Sequence, residues 1–273
     1  MRRSVLAGTV LVALVLGLPV EGVAVWVPSG SDTRLPGAYK VQARVDEPDV
    51  VLGEDTVRFT GQVRPYAPRQ RVVLQHRTSG TLRWKTSGQA RIKQSGRFVL
   101  KDRPATSGVR SYRVVKPASA GTRWGRSRTM DVAVREWENL VDQPVRSTCG
   151  IQQDVDVRLG GETYTRSLLT LPTDFSCIAH VNYDLGGRCV VLRGAYGMTD
   201  NSTSGSVASI SIRDLSDSDP STGYRFSGDP IVFRGQVLDV SEVQQLTIGM
   251  GVSYPPGIPG FPAVGHPEVL CLP

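Results

Sequence analysis

Short stretches in which hydrophobic and polar residues alternate recur along most of the chain. Examples are VRFTGQV from residue 57, GVRSYRVV from residue 108 and GSVASISIRD from residue 205. A period of two is typical of β-strands with one buried face, and turns rich in Gly, Ser and Pro separate these stretches. None of them has the period of an amphipathic helix. The pattern therefore predicts an all-β fold made of β-sandwiches.

The first residues have a different pattern. Arg2 and Arg3 precede an uncharged apolar run over residues 5–20, and small residues follow at Gly22 to Ala24. This order is typical of a signal peptide, which we predict over residues 1–24. An uncleaved anchor is the alternative, although about 16 apolar residues are short for a membrane span. We expect a secreted or cell-envelope protein with no integral membrane span after signal cleavage.

The remaining chain divides into two predicted modules. An extended lead-in covers residues 25–38, and a first module of repeated short strands covers residues 39–134. The stretch REWENLVDQPVRS breaks the alternation with charges and a proline, so residues 135–147 are predicted to be a linker, with a short helix possible from Trp137 to Val141. Alternation resumes in a second module, residues 148–273.

Charge separates the two modules. Residues 30–140 contain 22 Lys and Arg against 10 Asp and Glu, whereas residues 141–273 contain 8 against 14. The basic first module is interpreted as an ordinary solvated face, and weak, salt-sensitive contact with an anionic polymer is the alternative. Its arginines occupy alternating strand positions and no recognition helix is visible, so no specific nucleic-acid binding is expected.

The first module resembles the immunoglobulin-like or fibronectin-III-like modules of exported bacterial proteins. The stretches that resemble them are VRFTGQV, VVLQHR with the following Trp84, GRFVL and SYRVV. The resemblance implies a β-sandwich in which Trp84 is the core aromatic residue and Tyr112 lies on a late strand. The cysteine pair of antibody domains is absent here.

The second module contains a longer ordered set of motifs. These are VRLGGETYTRSLLT from residue 157, VNYDLGG from residue 181, LRGAYGMTDNSTSGSVASISIRD from residue 192, and then YRFSGDPIVF and VLDVSEVQQLTIGMGV. In this order they resemble the NPCBM/NEW2 carbohydrate-binding module, which implies a galactose-binding-like jelly roll. The chain departs from the family at SLLTLPT and AVGHPEVL, near its sugar-facing loops, which implies a retained scaffold with an altered pocket.

Within this module, VNYDLGGRC predicts a β-hairpin whose turn needs positive φ at Gly186 and Gly187. Aromatic and polar residues in or beside the predicted loops are the candidates for a sugar-binding rim, because sugar sites combine an aromatic platform with a few polar groups. The candidate ligand-binding residues are Tyr164, Arg166, Tyr196, Asp200, Tyr254 and His266.

Four cysteines in an exported chain predict two disulfides, and from the residues alone three pairings are open. The jelly-roll resemblance implies that Cys149 pairs with Cys271 to join the first and last strands, which leaves Cys177 with Cys189. No C-x-x-C pair occurs and the three histidines are dispersed, so no metal site and no cofactor are expected.

No catalytic residue is predicted. The chain contains no G-x-S-x-G motif, and neither histidine of the second module has a nucleophile beside it. The aspartates of DLSDSDPS lack the spacing of an EF-hand. The sequence thus predicts a non-catalytic binding protein, a carbohydrate-binding-like module on an Ig-like spacer that docks on an envelope or environmental glycan or cell-wall polymer. The alternatives are a structural or protein-interaction module of the cell envelope and, third, an unrecognised hydrolase.

Overall fold

The part of the chain that the computed structural model describes comprises residues 37–171, 178–215, 222–227, 232–253 and 259–273. The predicted signal peptide and residues 25–36 of the predicted lead-in lie outside it. The described residues form strands joined by turns, with one 3-10 helix at Leu140–Asp142, so the all-β prediction is confirmed. None of them forms a helix long and apolar enough to cross a bilayer.

Nine strands precede the 3-10 helix. They are β1 (Lys40–Val45), β2 (Asp49–Val51), β3 (Val57–Arg64), β4 (Arg71–Thr78), β5 (Lys85–Arg91), β6 (Arg97–Asp102), β7 (Gly108–Lys116), β8 (Gly125–Arg126) and β9 (Met130–Asn139). Strands β1, β3 and β6 form one antiparallel sheet, and β9, β7, β4 and β5 lie side by side in the other. Strand β2 pairs with β9, and β8 pairs with β7.

A hydrophobic core lies between these two sheets, as the alternation predicts. Phe59, Phe98 and Tyr112 are fully buried in it, and the Tyr112 hydroxyl donates to Asp102 at 2.7 Å. Trp84 is not part of this core. Its ring is half-buried beneath the guanidinium groups of two arginines, Arg77 and Arg113. The expectation that Trp84 is the core aromatic residue was wrong, because three other rings occupy the space between the sheets.

Ten further strands follow. They are β10 (Val145–Cys149), β11 (Ile151–Leu159), β12 (Glu162–Thr170), β13 (Ala179–Asp184), β14 (Cys189–Met198), β15 (Val207–Asp214), β16 (Thr222–Ser227), β17 (Phe233–Asp239), β18 (Gln245–Ser253) and β19 (Pro262–Cys271). One sheet has the order β10-β13-β18-β15-β16. In the other, β19 pairs with β12 and β14, β12 also pairs with β11, and β14 with β17. A second hydrophobic core, which includes Leu140 and Tyr183, fills this module.

Strand β9 connects the two modules. Val132 and Val134 in its first half belong to the first core, whereas the segment from Glu136 to Asn139 pairs with β19. The structure thus has a strand over part of the segment where the sequence predicts a linker. The charged side chains that interrupt the alternation in this segment pair with other side chains. Glu138, for example, forms an ion pair with Arg188.

The Leu185–Arg188 turn of VNYDLGGRC has the predicted backbone but a different role. Gly186 and Gly187 have φ of 57° and 65°. However, β13 before the turn pairs with β10 and β18, while β14 after it pairs with β17 and β19. The predicted hairpin was therefore wrong, because the turn carries the chain from one sheet to the other. Its backbone N–H groups are bound instead by Gln244 and Val243 carbonyls of the β17–β18 connection.

The disulfide pairing also differs from the expectation. Cys189 and Cys271 are bonded at the paired ends of β14 and β19, so both predicted pairs, Cys149–Cys271 and Cys177–Cys189, were wrong. The reason is topological: β10, which carries Cys149, lies in the five-stranded sheet, and β19 lies in the other. Cys149 is also disulfide-bonded, and Cys177 lies outside the described residues.

An ion pair beside the β9–β19 junction should make the stability of the fold decrease at acidic pH. Arg188 binds Glu138 through both carboxylate oxygens at 3.1 and 3.2 Å, and the Gln143 amide donates to the same carboxylate at 2.9 Å. Burial alone would raise the pKa of Glu138, but the hydrogen bonds from Arg188 and Gln143 outweigh it and hold the pKa below 4.5. The charged form of Glu138 is therefore favoured by folding.

We expect Glu138→Gln to lower the melting temperature at neutral pH. Between about pH 5 and pH 3, the melting temperature of the variant should fall less steeply than that of the parent. A carboxylate with a lowered folded pKa contributes fully above its unfolded pKa, and the contribution is lost as pH falls through the folded value. Glu136→Gln removes an exposed carboxylate from the same strand and should keep the parent's profile. Identical profiles for the two variants would contradict this role for Glu138.

Candidate functional site

Two strands approach the same edge of β19 and leave a gap between them. Strand β12 pairs with β19 only at Ala263 and Val264, and β9 pairs with it only from Glu268 onward. On the opposite edge, the β14 pairing shifts register between Arg193 and Ala195. Gly265 and His266 of the segment between the two pairings line an open depression.

His266 lies at the centre of this irregular segment. Its φ is 44°, a left-handed conformation that is uncommon for a residue with a side chain. The backbone N–H of His266 donates to Ser167 Oγ at 3.1 Å, and Nδ1 lies 3.2 Å from the Thr165 carbonyl oxygen. Because a carbonyl oxygen only accepts, Nδ1 carries a proton. The ring is thereby held with Nε2 3.7 Å from a Glu268 carboxylate oxygen.

Tyr164 supplies an aromatic wall. Its ring lies against the backbone of Gly265, where an added Cβ would approach Tyr164 Cγ to 2.7 Å. The phenol donates to Glu162 at 2.9 Å. Partial burial and this hydrogen bond raise the pKa of Tyr164, so the hydroxyl stays protonated at neutral pH. The side chain is half-buried and presents its remaining surface to solvent.

Arg193 and Glu268 face each other across β14 and β19. The Arg193 Nε donates to Glu268 Oε2 at 2.8 Å, and its guanidinium lies 3.7 Å from the centre of the Trp137 ring. Stacking on the indole fixes the plane of the guanidinium. Glu268 accordingly presents one carboxylate oxygen to Arg193 and the other to His266.

Strand β17 provides the last wall. Arg234 lies 3.4 Å from a Glu162 carboxylate oxygen and 3.4 Å from the Gly160 carbonyl oxygen. Each arginine of the depression thus lies beside a carboxylate. The positive and negative charges around the depression are therefore nearly balanced. The depression has a volume of about 310 Å³ and is lined by Thr163, Tyr164, Thr165, Arg193, Gly194, Ala195, Arg234, Gly235, Gly265, His266 and Glu268.

Of the five predicted site residues that the structure describes, two, Tyr164 and His266, lie in this depression. Arg166 lies farther along β12, where it binds Asp142 and Asp154. Asp200 accepts from the Gly161 N–H and pairs with Arg158. These two residues therefore do not line the depression.

Of the remaining two predicted residues, the structure describes one, Tyr196. Tyr196 is fully buried on β14 within the core, and it cannot reach a ligand there without exposing the core. Tyr254 lies outside the described residues. Residues 216–221, which include most of the acidic stretch considered for calcium, also lie outside them. Among the described residues, no three His, Cys, Asp or Glu side chains are grouped closely enough to hold a metal ion.

Sequence reasoning missed Arg193, Arg234, Glu268 and Trp137. A signal existed for two of them. Arg193 and Glu268 are each the only acidic or basic residue, histidine aside, in a stretch of mostly apolar residues, and a charge in such surroundings normally has a partner. That rule suggests that they are partners. The Trp137 and Arg234 contacts depend on strand pairings that the sequence does not specify.

Comparison with known proteins adds little to this geometry. No protein-family model matches the chain, and no curated protein matches it. Among solved structures, the secreted serine protease VesC from Vibrio cholerae is similar over 87% of this chain and 51% of its own, with 9% sequence identity and a TM-score of 0.28. The chain therefore spans about half the length of that protein. A similarity this weak supports no conclusion about function, and the resemblance to NPCBM/NEW2 stays a prediction.

Proposed function

We propose that the protein is an exported, non-catalytic binding protein that docks on glycans through the depression beside Tyr164 and His266. The observation that carries this proposal is the convergence of an aromatic ring, an imidazole and two ion-paired arginines on one concave surface. Ligand sites typically combine a concavity with a few fixed polar groups. The first module would then act as a spacer that holds the glycan-binding module away from its attachment point.

The charge balance of the depression favours a neutral sugar. Arg193 and Arg234 each have a carboxylate beside them, so an acidic ligand would compete with an existing ion pair. Sugar hydroxyls can both donate and accept hydrogen bonds, which matches the mixture of guanidinium, carboxylate and imidazole groups. The Tyr164 ring offers an apolar face with a polar tip, suited to the C–H face of a pyranose.

Export is supported by the covalent chemistry of the chain. Cys189 and Cys271 form a disulfide, and such bonds persist in oxidising compartments. This bond is compatible with the proposed secreted or cell-envelope location.

A glycan array followed by calorimetry on the bound neutral glycan tests the proposal. We expect Tyr164→Ala to weaken binding by about tenfold or more, because it removes the aromatic surface of the depression. Tyr164→Phe retains the ring and should stay within about threefold of the parent.

Tyr66→Ala is the matched control, because Tyr66 is an exposed tyrosine of the first module. Its affinity for the same glycan should equal that of the parent. The proposal fails if no neutral glycan binds, or if Tyr164→Ala binds as tightly as the control.

A protein-interaction role is the second candidate, and one observation favours it. Ile178 and Leu215 are 81% and 52% exposed and lie on a depression of about 320 Å³ together with His180 and Asn182. Exposed apolar side chains around a concavity are typical of protein contacts. An array without neutral-glycan binding would favour this face over the Tyr164 depression.

A further inference from the structure

The three-stranded sheet of the first module has one face that points away from the core. Alternate residues of each strand face the core, among them Val41, Phe59 and Phe98. The ten positions between them face solvent: Lys40, Gln42, Arg44, Arg58, Thr60, Gln62, Arg64, Arg97, Val99 and Lys101. We call these ten residues the basic face, since six of them are lysine or arginine.

Strand register arranges the basic face in rows. Gln42, Gln62 and Arg97 lie side by side across the three strands, and Arg44, Thr60 and Val99 form the next row. The residues of the central strand β3 form the floor of a groove on this face, and those of β1 and β6 form its two sides. A cationic side chain therefore flanks the floor from each outer strand.

The middle of the basic face is concave. Both rows line a groove of about 610 Å³, and Lys93 contributes to it from the β5–β6 turn. The central strand runs for about 20 Å from Arg58 to Arg64 at the usual rise per residue. The groove covers the middle of this strand, from Thr60 to Gln62, and the remaining cations of the face extend beyond it.

The cations of the basic face are largely uncompensated. Arg58 pairs with Asp46 at 3.2 Å, and that carboxylate also accepts from Thr60. Within the described residues, the other five cations of the face and Lys93 make no ion pair. Like charges held close together attract an anionic partner.

We propose that the basic face binds an acidic polysaccharide along the groove. Carboxylate or sulfate groups would contact Arg44, Arg97 and Lys93, while the Gln42 and Gln62 amides and the Thr60 hydroxyl can hydrogen-bond sugar hydroxyls. None of the ten side chains is aromatic, and the exposed Tyr66 borders the face at Arg64, 5.9 Å from its guanidinium. The face therefore has no row of rings on which successive bases of a single-stranded nucleic acid could stack. It also lacks the exposed apolar anchors of a membrane-surface site.

This site is independent of the proposed function of the second module. It lies on a different sheet, and it would take an acidic polymer where the Tyr164 depression would take a neutral sugar. Failure of one proposal therefore leaves the other open to its own test.

Binding of polygalacturonate to the whole protein tests the inference, with dextran as the uncharged polymer. We expect the parent to bind polygalacturonate at about 50 mM salt and to bind far more weakly at about 300 mM, because salt screens exposed charges. The double variant Arg44→Gln, Arg97→Gln should raise the Kd at least about tenfold. Dextran should not bind to the basic face.

The double variant Arg83→Gln, Arg128→Gln is the control, because it removes two exposed arginines outside the basic face. The net charge changes equally in both double variants, so the control should stay within about twofold of the parent. Unchanged thermal melting would exclude unfolding as the cause of lost binding. Equal loss in both variants, absence of polygalacturonate binding, or tighter binding of oligothymidine through the same arginines would overturn the proposal.

Discussion

Removing the disulfide between β14 and β19 is expected to lower the free energy of unfolding by about 4.5 kcal/mol. The bond joins Cys189 to Cys271, which are 82 residues apart, and a cross-link that closes a long loop removes much of the chain entropy of the unfolded state. Both sulfur atoms are buried in the second core, so the double alanine variant also loses some packing. The bond closes the end of the sheet that carries the Tyr164 depression.

The change is measured by chemical denaturation of the Cys189→Ala, Cys271→Ala variant beside the parent. Cys149 is not altered, and its own disulfide should survive in the variant. Non-reducing peptide mapping of the parent should recover the peptides of Cys189 and Cys271 joined to each other. A loss below about 1 kcal/mol, or a peptide joining Cys149 to Cys271, would contradict the observed pairing.

Local features of the fold could be predicted from the sequence, and long-range pairings could not. The alternation of Val, Phe and polar residues predicts the strands, and two consecutive glycines predict positive φ at Gly186 and Gly187. Neither pattern specifies which strand lies beside which. The expected hairpin and the expected disulfides both failed at that step, since adjacent strands in sequence belong here to different sheets.

The candidate site illustrates the same limit. Tyr164 and His266 were predicted from residue type, and both line one depression. Tyr196 has the same chemistry, but its position on β14 places it in the core. Arg193 becomes part of the site only because β14 and β19 pair in a register that places it opposite Glu268.

The sheet changes the interpretation of the arginines that alternate along the sequence of the first module. Along the sequence, their spacing argues against a continuous basic segment. In the sheet, a period of two puts every second residue on one face, and three adjacent strands collect Arg44, Arg58, Arg64 and Arg97 there. An even distribution along the chain is therefore compatible with a concentrated charge on the surface.

Substitution of Gly125 by alanine is expected to reduce the free energy of unfolding by about 3 kcal/mol or more. An added Cβ at Gly125 would lie 1.8 Å from the Tyr39 carbonyl oxygen and 2.6 Å from its carbonyl carbon. Both are backbone atoms of a buried residue, so the clash cannot be relieved by a side-chain rotation. The chain around Tyr39 would have to separate from β8.

Gly37 provides the matched control for this variant. It lies in the same junction, where its carbonyl accepts from the Arg123 N–H, but nothing lies within 4 Å of an added Cβ. Gly37→Ala should therefore change the melting temperature little. If both variants melt like the parent, the close contact at Gly125 is not a constraint on the fold. Because Tyr39 leads directly into β1, which forms one side of the basic groove, Gly125→Ala should also weaken polygalacturonate binding, whereas Gly37→Ala should not.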